Sequence, residues 1–216
     1  MHVLSLSFGL VDGHVIFMDV ASDSYFALDE DQESEFLEAR RRDPHYLENV
    51  EFVASMLGTS DPCSIIEARP PEGKASLLDH PTDAQSLKAR DLIRTALILH
   101  RVRAKLATKP IASLLAAPGS TGQERCSASS GLFELTQTFM NARRIIPIKP
   151  NCLLDSLSLA LWLGPASDLL LIFGVKLDPF AAHCWAQLGD VILNDSIDHV
   201  APFRPVRVIE CTPVSH

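Results

Sequence analysis

At 216 residues the chain suits one large domain or two small ones, with material for a sizeable core, and its 47% hydrophobic and 21% charged residues are those of an ordinary globular protein. Charge is divided unevenly: residues 1–80 carry 16 Asp/Glu against 5 Lys/Arg, and the remainder carries 11 against 14. The acidic first part repels phosphate backbones, which excludes nucleic acid as its partner, and the asymmetry points to two functional halves. No basic start followed by an unbroken apolar stretch opens the chain, and the run "LLLIFGV" at 169–175 is too short to span a bilayer. No membrane partner and a cytoplasmic location are therefore expected. Five cysteines without a CxxC pair argue against a disulfide framework and a tetrathiolate zinc site.

In chain order, "HVLSLSFG" and "HVIFMDV" read as strands joined through "LVDG", and "DSYFALD" as a third strand. "DEDQESEFLEARRRD" reads as a helix, with acids at its start and Arg40, Arg41 and Arg42 at its end, as the macrodipole favours. "PHYLENVEFVASMLG" is a second helix, opened near Pro44 and closed by Gly58. The Pro-rich stretch after it places a domain boundary near residue 80, giving domains 1–80 and 81–216. "AQSLKARDLIRTALILHRVRAKLAT" is the strongest helix. Leu87, Leu92, Ile93, Ala96, Leu97, Leu99 and Leu106 form its apolar stripe, and its basic residues read as a solvated face. "AAPGSTGQERCSASS" is a loop and "GLFELTQTFMNARRI" a further helix.

Chemistry concentrates near the end. Pro150 cannot continue a helix inward and Asn151 is a good N-cap, so Cys152 opens the apolar helix "CLLDSLSLALWL". A helix N-terminus favours the thiolate, the form that attacks carbonyls. Asp155, one turn on, complements the dipole but opposes a thiolate if the two come close. The stretch "AAHCWAQLGDVILND" reads as a hairpin. With a three-residue loop, Leu188 to Asp190, His183 lies directly opposite Asp195, and the carboxylate can orient the imidazole. A two-residue loop sends Asp195 to the other face. On the longer loop, Cys152, His183 and Asp195 supply nucleophile, base and orienting acid. A packed structural thiol is the competing reading of Cys152. Trp185 is expected to pack against the cysteine helix. Cys63, Cys126, Cys184 and Cys211 read as structural, and His199 as a surface group or a support behind the site. No metal-ligand spacing, cofactor motif or phosphate loop is present, so no metal or cofactor is expected and nothing suggests ATP binding by this chain.

"NCLLDSLSLALWL", "FGVKLDPFAAHCWAQLGDVILND" and "VAPFRPVRVI" resemble the transglutaminase-like core of the lasso-peptide B proteins, leader peptidases that process ribosomally made precursor peptides. The resemblance covers about residues 80–210. It implies an α+β architecture in which a transglutaminase/papain-like domain, its nucleophile helix packed on an antiparallel sheet, follows a small winged-helix-like N-terminal domain of three strands and about three helices. It also implies Cys152 as nucleophile, His183 as general base and Asp195 as orienting acid. Cys184 departs from the family, which commonly has a small residue such as alanine there. "DGHVIFMDVASDSYFALDEDQESEF" is similar to the peptide-recognition element of such systems, which holds the leader as an added strand; the receiving edge then runs through Tyr25, Phe26, Ala27, Leu28 and Asp29. Those side chains have a plainer role open to them, as the small domain's core. The implied partners are the leader of a precursor peptide and an ATP-dependent cyclase of the asparagine-synthetase type. Acyl transfer to an amine, or leader binding without catalysis, are the alternatives.

Overall fold

A computed structural model describes residues 6–42, 65–79, 87–115, 129–164 and 169–211. The chain opens with β1 (Leu6–Val11), β2 (His14–Asp19) and β3 (Ser24–Ala27), followed by α1 (Glu30–Arg42). The β1–β2 loop is Asp12–Gly13, both at positive φ (51° and 92°), the conformation a two-residue hairpin turn needs and a reason for Asp-Gly there. α1 begins where the Asp29 carboxylate accepts from the Gln32 N–H at 2.9 Å. The expected second helix at 44–58 lies outside the described residues. Beyond it come two short strands, β4 (Ile65–Glu67) and β5 (Ala75–Ser76).

The first sheet has the order β3-β2-β1-β4, so the N-terminal part contributes a fourth strand, parallel to β1, besides the three expected. Its two faces have different neighbours. Phe8, Phe17 and Phe36 close one core with α1, the Phe8–Phe36 and Phe17–Phe36 rings meeting edge to face at 5.1 and 5.4 Å. Val11, Ile16, Met18 and Val20 join the main core of the molecule. On that side β1 comes so close to the second sheet that a Cβ on Gly9 would stand 1.9 Å from the Pro205 carbonyl oxygen. Only glycine permits the approach.

The second sheet has the order β5-β8-β7-β6-β9, from β6 (Leu169–Lys176), β7 (Ala181–Leu188), β8 (Val191–Ile192) and β9 (Arg204–Glu210) with β5. β6 lies between β7 and β9, and its run Leu169–Val175 is buried throughout because both sheet faces are covered. Four helices accompany this sheet before β6: α2 (Ala89–Leu106), α3 (Ile111–Leu115), α4 (Ser129–Ile145) and α5 (Cys152–Leu163); a short α6 (Ile197–Val200) precedes β9. The stripe expected on α2 is narrower than the sequence suggests. Thr95, Leu99 and Val102 are buried, whereas Ile93 and Leu97 are exposed. Arg94 leaves the solvated face and lies over the Trp162 ring, 4.1 Å from its centroid.

The β7–β8 loop corrects the sequence reading. Leu188 pairs with Val191 and Gln187 with Ile192, so the loop has two residues, with Gly189 at φ 58°. A continued ladder would then carry Asp195 to the wrong face. The ladder stops instead at Ile192. The Leu193 N–H still donates to Ala186 at 2.9 Å, but the Ala186 N–H donates to the side chain of Asn194, at 2.8 Å. Freed from strand alternation, the chain bends and Asp195 turns back toward His183.

Candidate active site

α5 starts as its sequence demands. Asn151 is extended (φ −150°, ψ 125°) and its carboxamide oxygen accepts from the Leu154 N–H at 2.9 Å. This leaves Cys152 at the helix tip, half-buried and free of any disulfide. Its thiol hydrogen-bonds with the His183 ring, and the backbone N–H groups of Cys184 and Leu153 also point at the sulfur. These contacts, the His183 bond foremost, outweigh burial and hold the Cys152 thiol below its ordinary range. Asp155 does not oppose the thiolate alone, because Arg143 Nε donates to its carboxylate at 2.6 Å. Arg143 is itself anchored on the Ile146 and Ile148 carbonyls.

His183 Nε2 and Asp195 Oδ2 stand 2.6 Å apart, which leaves Nδ1 as the ring nitrogen for the sulfur. Burial alone pushes the imidazole down. The hydrogen bonds from Asp195 and Cys152, with their charges, overcome it and raise His183 to about 9. Burial likewise works against the Asp195 carboxylate, but bonds from His183, His199 and the Ser196 N–H hold it below the usual carboxylate range. The three groups thus favour a thiolate and an imidazolium steadied by a carboxylate. The ring is held between aromatic neighbours: Phe203 at 5.0 Å, His199 at 4.8 Å and Trp185 at 6.0 Å between centroids.

Trp185 is not against the cysteine helix. It packs with Leu170, Ile172, Ile192 and Val200 on the opposite face of the sheet, because it alternates with Cys184, whose side chain enters the main core. Cys184 and Cys211 are buried, and burial is the first cause that raises both thiols, Cys211 to about 12. Cys63 and Cys126 lie outside the described residues.

Ser156, Asn194, Ser76 and Phe203 support the site without having been singled out by the sequence. Ser156, a turn along α5, donates to the Cys184 carbonyl at 3.0 Å and accepts from Asn194 Nδ2 at 2.8 Å. Ser76, on β5, donates to the Asp195 carbonyl at 2.5 Å. Phe203 flanks the ring. His199, read earlier as a surface or supporting group, presents Nδ1 at 2.9 Å from both Asp195 oxygens. His183, Asp195 and His199 could offer three ligand atoms within 4.8 Å of one another, but each is already engaged in the hydrogen bonds just described.

Of the five residues expected to receive a leader, Tyr25, Phe26 and Ala27 lie on the edge strand β3, and Leu28 and Asp29 link it to α1. Phe26 stacks on Phe17 at 5.1 Å and, with Leu28, packs in the N-terminal core. Asp29 caps α1 and Ala27 is exposed. Tyr25 alone turns toward the main core, its ring 6.0 Å from that of Phe180. Among the described residues no strand pairs with the outer side of β3.

A half-buried cysteine at a helix tip, facing a histidine on β7 and a carboxylate just beyond β8, is an arrangement suited to thiol acyl chemistry. The model of the transglutaminase-like superfamily matches residues 83–208, more than half of the chain, and the protein belongs to that superfamily. Comparison with curated proteins found no match, and comparison with solved structures found none. Membership supports chemistry of the cysteine-protease or acyltransferase type. None of the described helices is long and apolar enough to cross a membrane.

Proposed function

We propose that the protein is a cysteine peptidase that binds the leader of a ribosomally made lasso precursor peptide and cuts it from the core. Residues 1–80 act as the leader-recognition domain and residues 81–216 as the peptidase. The observation that carries this reading is the Cys152–His183–Asp195 constellation beside an N-terminal sheet whose edge strand β3 pairs with no further strand among the described residues. The leader pairs along Tyr25–Asp29, and docking there raises the local concentration of the junction at Cys152. The thiolate attacks the junction carbonyl, and the tetrahedral intermediate collapses as the His183 imidazolium gives its proton to the departing amine. His183 then takes a proton from water, which hydrolyses the thioester. A partner cyclase of the asparagine-synthetase type closes the freed core.

The test is mass spectrometry of a lasso precursor peptide incubated with the protein and with Cys152→Ala. Separate leader and core from the first, and intact precursor from the second, are expected. Cleavage by Cys152→Ala overturns the proposal, and so does a leader carrying an added amine, the product of acyl transfer.

A further inference from the structure

A carboxylate orients an imidazole only while its own direction is fixed, and Asp195 lies beyond the ladder that would fix it. β8 ends at Ile192, three residues before it. Ser76 on β5 holds the backbone carbonyl of Asp195 but not its side chain. Of the two carboxylate oxygens, Oδ2 meets His183 Nε2 at 2.6 Å and Oδ1 accepts the Ser196 N–H at 2.8 Å. Ser196 is the next residue, so its bond turns with the same bend of chain. These two bonds tie the carboxylate only to its own neighbour and to the ring it must orient.

His199 supplies a tie from another element. Its Nδ1 stands 2.9 Å from Oδ1 and 2.9 Å from Oδ2. An ionised carboxylate only accepts, so Nδ1 carries the proton and donates to both oxygens. α6 holds the ring in that place. The Ser196 hydroxyl caps it by accepting the His199 N–H at 3.3 Å, and the Phe203 N–H donates to the Val200 carbonyl at 2.9 Å. Val200 in turn packs with Trp185 and Ile192 on the sheet. The His199 side chain itself is 60% exposed, so burial does not account for its position. Its ring also meets that of His183 edge-on, 4.8 Å between centroids. One residue of α6 thus touches both members of the histidine–carboxylate pair.

We propose that His199 is a positioning residue: by donating to both oxygens of Asp195 it holds the carboxylate against His183, and so keeps the imidazole aligned on the Cys152 sulfur. The role rests on reading Cys152, His183 and Asp195 as nucleophile, base and orienting acid; the identity of the acyl donor does not enter it. A second donor on a carboxylate has an opposite role open to it, drawing charge away from the first. The two roles differ in sign. Losing a positioning bond weakens the hold on the imidazolium, disfavours the thiolate and moves alkylation of Cys152 to higher pH. Losing a competing donor strengthens that hold and moves it to lower pH.

The experiment compares wild type, His199→Phe and His199→Asn in the full chain. Phenylalanine keeps a ring beside His183 but cannot donate, whereas asparagine lacks the ring and sets an N–H near the place of Nδ1. Acylation by 4-nitrophenyl acetate and the pH profile of alkylation by iodoacetamide are measured, with Tm as the check on folding. In His199→Phe, acylation should slow by about tenfold and the alkylation profile should move to higher pH. His199→Asn should recover most of the lost rate. Acylation of His199→Phe within twofold of wild type, a profile moved to lower pH, or an asparagine variant as slow as the phenylalanine one overturns the proposal. If the wild type leaves a lasso precursor intact while both variants behave as stated, the leader-peptidase reading fails and the role of His199 stands.

Discussion

Asn194→Ala should loosen the active site without touching any reacting atom. Asn194 ties three elements: its oxygen accepts the Ala186 N–H of β7 at 2.8 Å, its nitrogen donates to Ser156 of α5 at 2.8 Å, and Asp195 follows it. Ala186 and Ser156 are both fully buried. Truncation leaves the Ala186 N–H unsatisfied, a cost of about 1–3 kcal/mol, and removes the bond to Ser156, about 1 kcal/mol more. Ser156 keeps its bond to the Cys184 carbonyl. A loss of about 2–4 kcal/mol lowers Tm by roughly 5–15 °C in a chain of this size. A double-mutant cycle with Ser156→Ala should give a coupling of about 1 kcal/mol. Thermal unfolding followed by circular dichroism measures both. The rate of acylation at Cys152 should fall further than stability alone accounts for, because α5 carries the sulfur and β7 the imidazole. A Tm within 1 °C of wild type, or additive losses in the cycle, would refute the claim that Asn194 couples helix and strand.

Alkylation of Cys152 by iodoacetamide should remain fast below the ordinary thiol range, where His183 holds the thiolate; His183→Ala should move that profile to higher pH. Amide cleavage should fall as pH rises through about 9, where His183 loses the proton it gives the leaving amine. Stability carries the same sign. The raised His183 contributes fully below its ordinary value near 6.5 and loses that contribution toward 9. The lowered Asp195 contributes above the usual carboxylate value near 3.8 and is lost as pH falls below it, so Tm should be highest between. Gly174→Ala should cut acylation by tenfold or more at near-native fold. A Cβ there meets the Trp185 ring at 2.8 Å and Phe203 at 3.1 Å, and both flank the His183 ring. Unaltered acylation kinetics would show that these rings do not position the imidazole.

Local signals made the nucleophile helix legible. Pro150, Asn151 and an apolar run specify a cap and a buried helix within a few residues, and the structure follows them. The histidine–aspartate pairing was expected for a reason the structure overturns, since the loop has two residues and not three. Strand alternation over a longer loop would have placed Asp195 opposite His183, whereas a side chain, Asn194, ends the ladder and lets the chain bend. No periodicity announces that substitution of an amide side chain for a backbone group. Ser76 was illegible because its bond spans 119 residues, and the Arg143–Asp155 pair because two helices had first to be packed. Trp185 was misplaced for a related cause. Alternation fixes which residues share a face, but only the packed sheet shows what covers it.

The charge boundary near residue 80 suggests a place to divide the chain, yet the core crosses it. Val11, Ile16, Met18 and Val20 are at most 5% exposed within the cluster that also holds α5, β6 and β7. Gly9 brings the β1 backbone against Pro205, and Ser76 fastens the carbonyl of Asp195. Burial of four such side chains contributes on the order of 6–12 kcal/mol, comparable with the whole stability of a domain. Residues 81–216 expressed alone should therefore be aggregated or loosely folded, with Cys152 alkylated at the rate of an ordinary thiol. Nuclear magnetic resonance dispersion and alkylation kinetics would measure this. A well-folded fragment with the alkylation rate of the full chain would show that the N-terminal sheet only rests on the transglutaminase-like part. Failure of the fragment would show that the site around Cys152 is built across both parts, and that neither part can be positioned without the other.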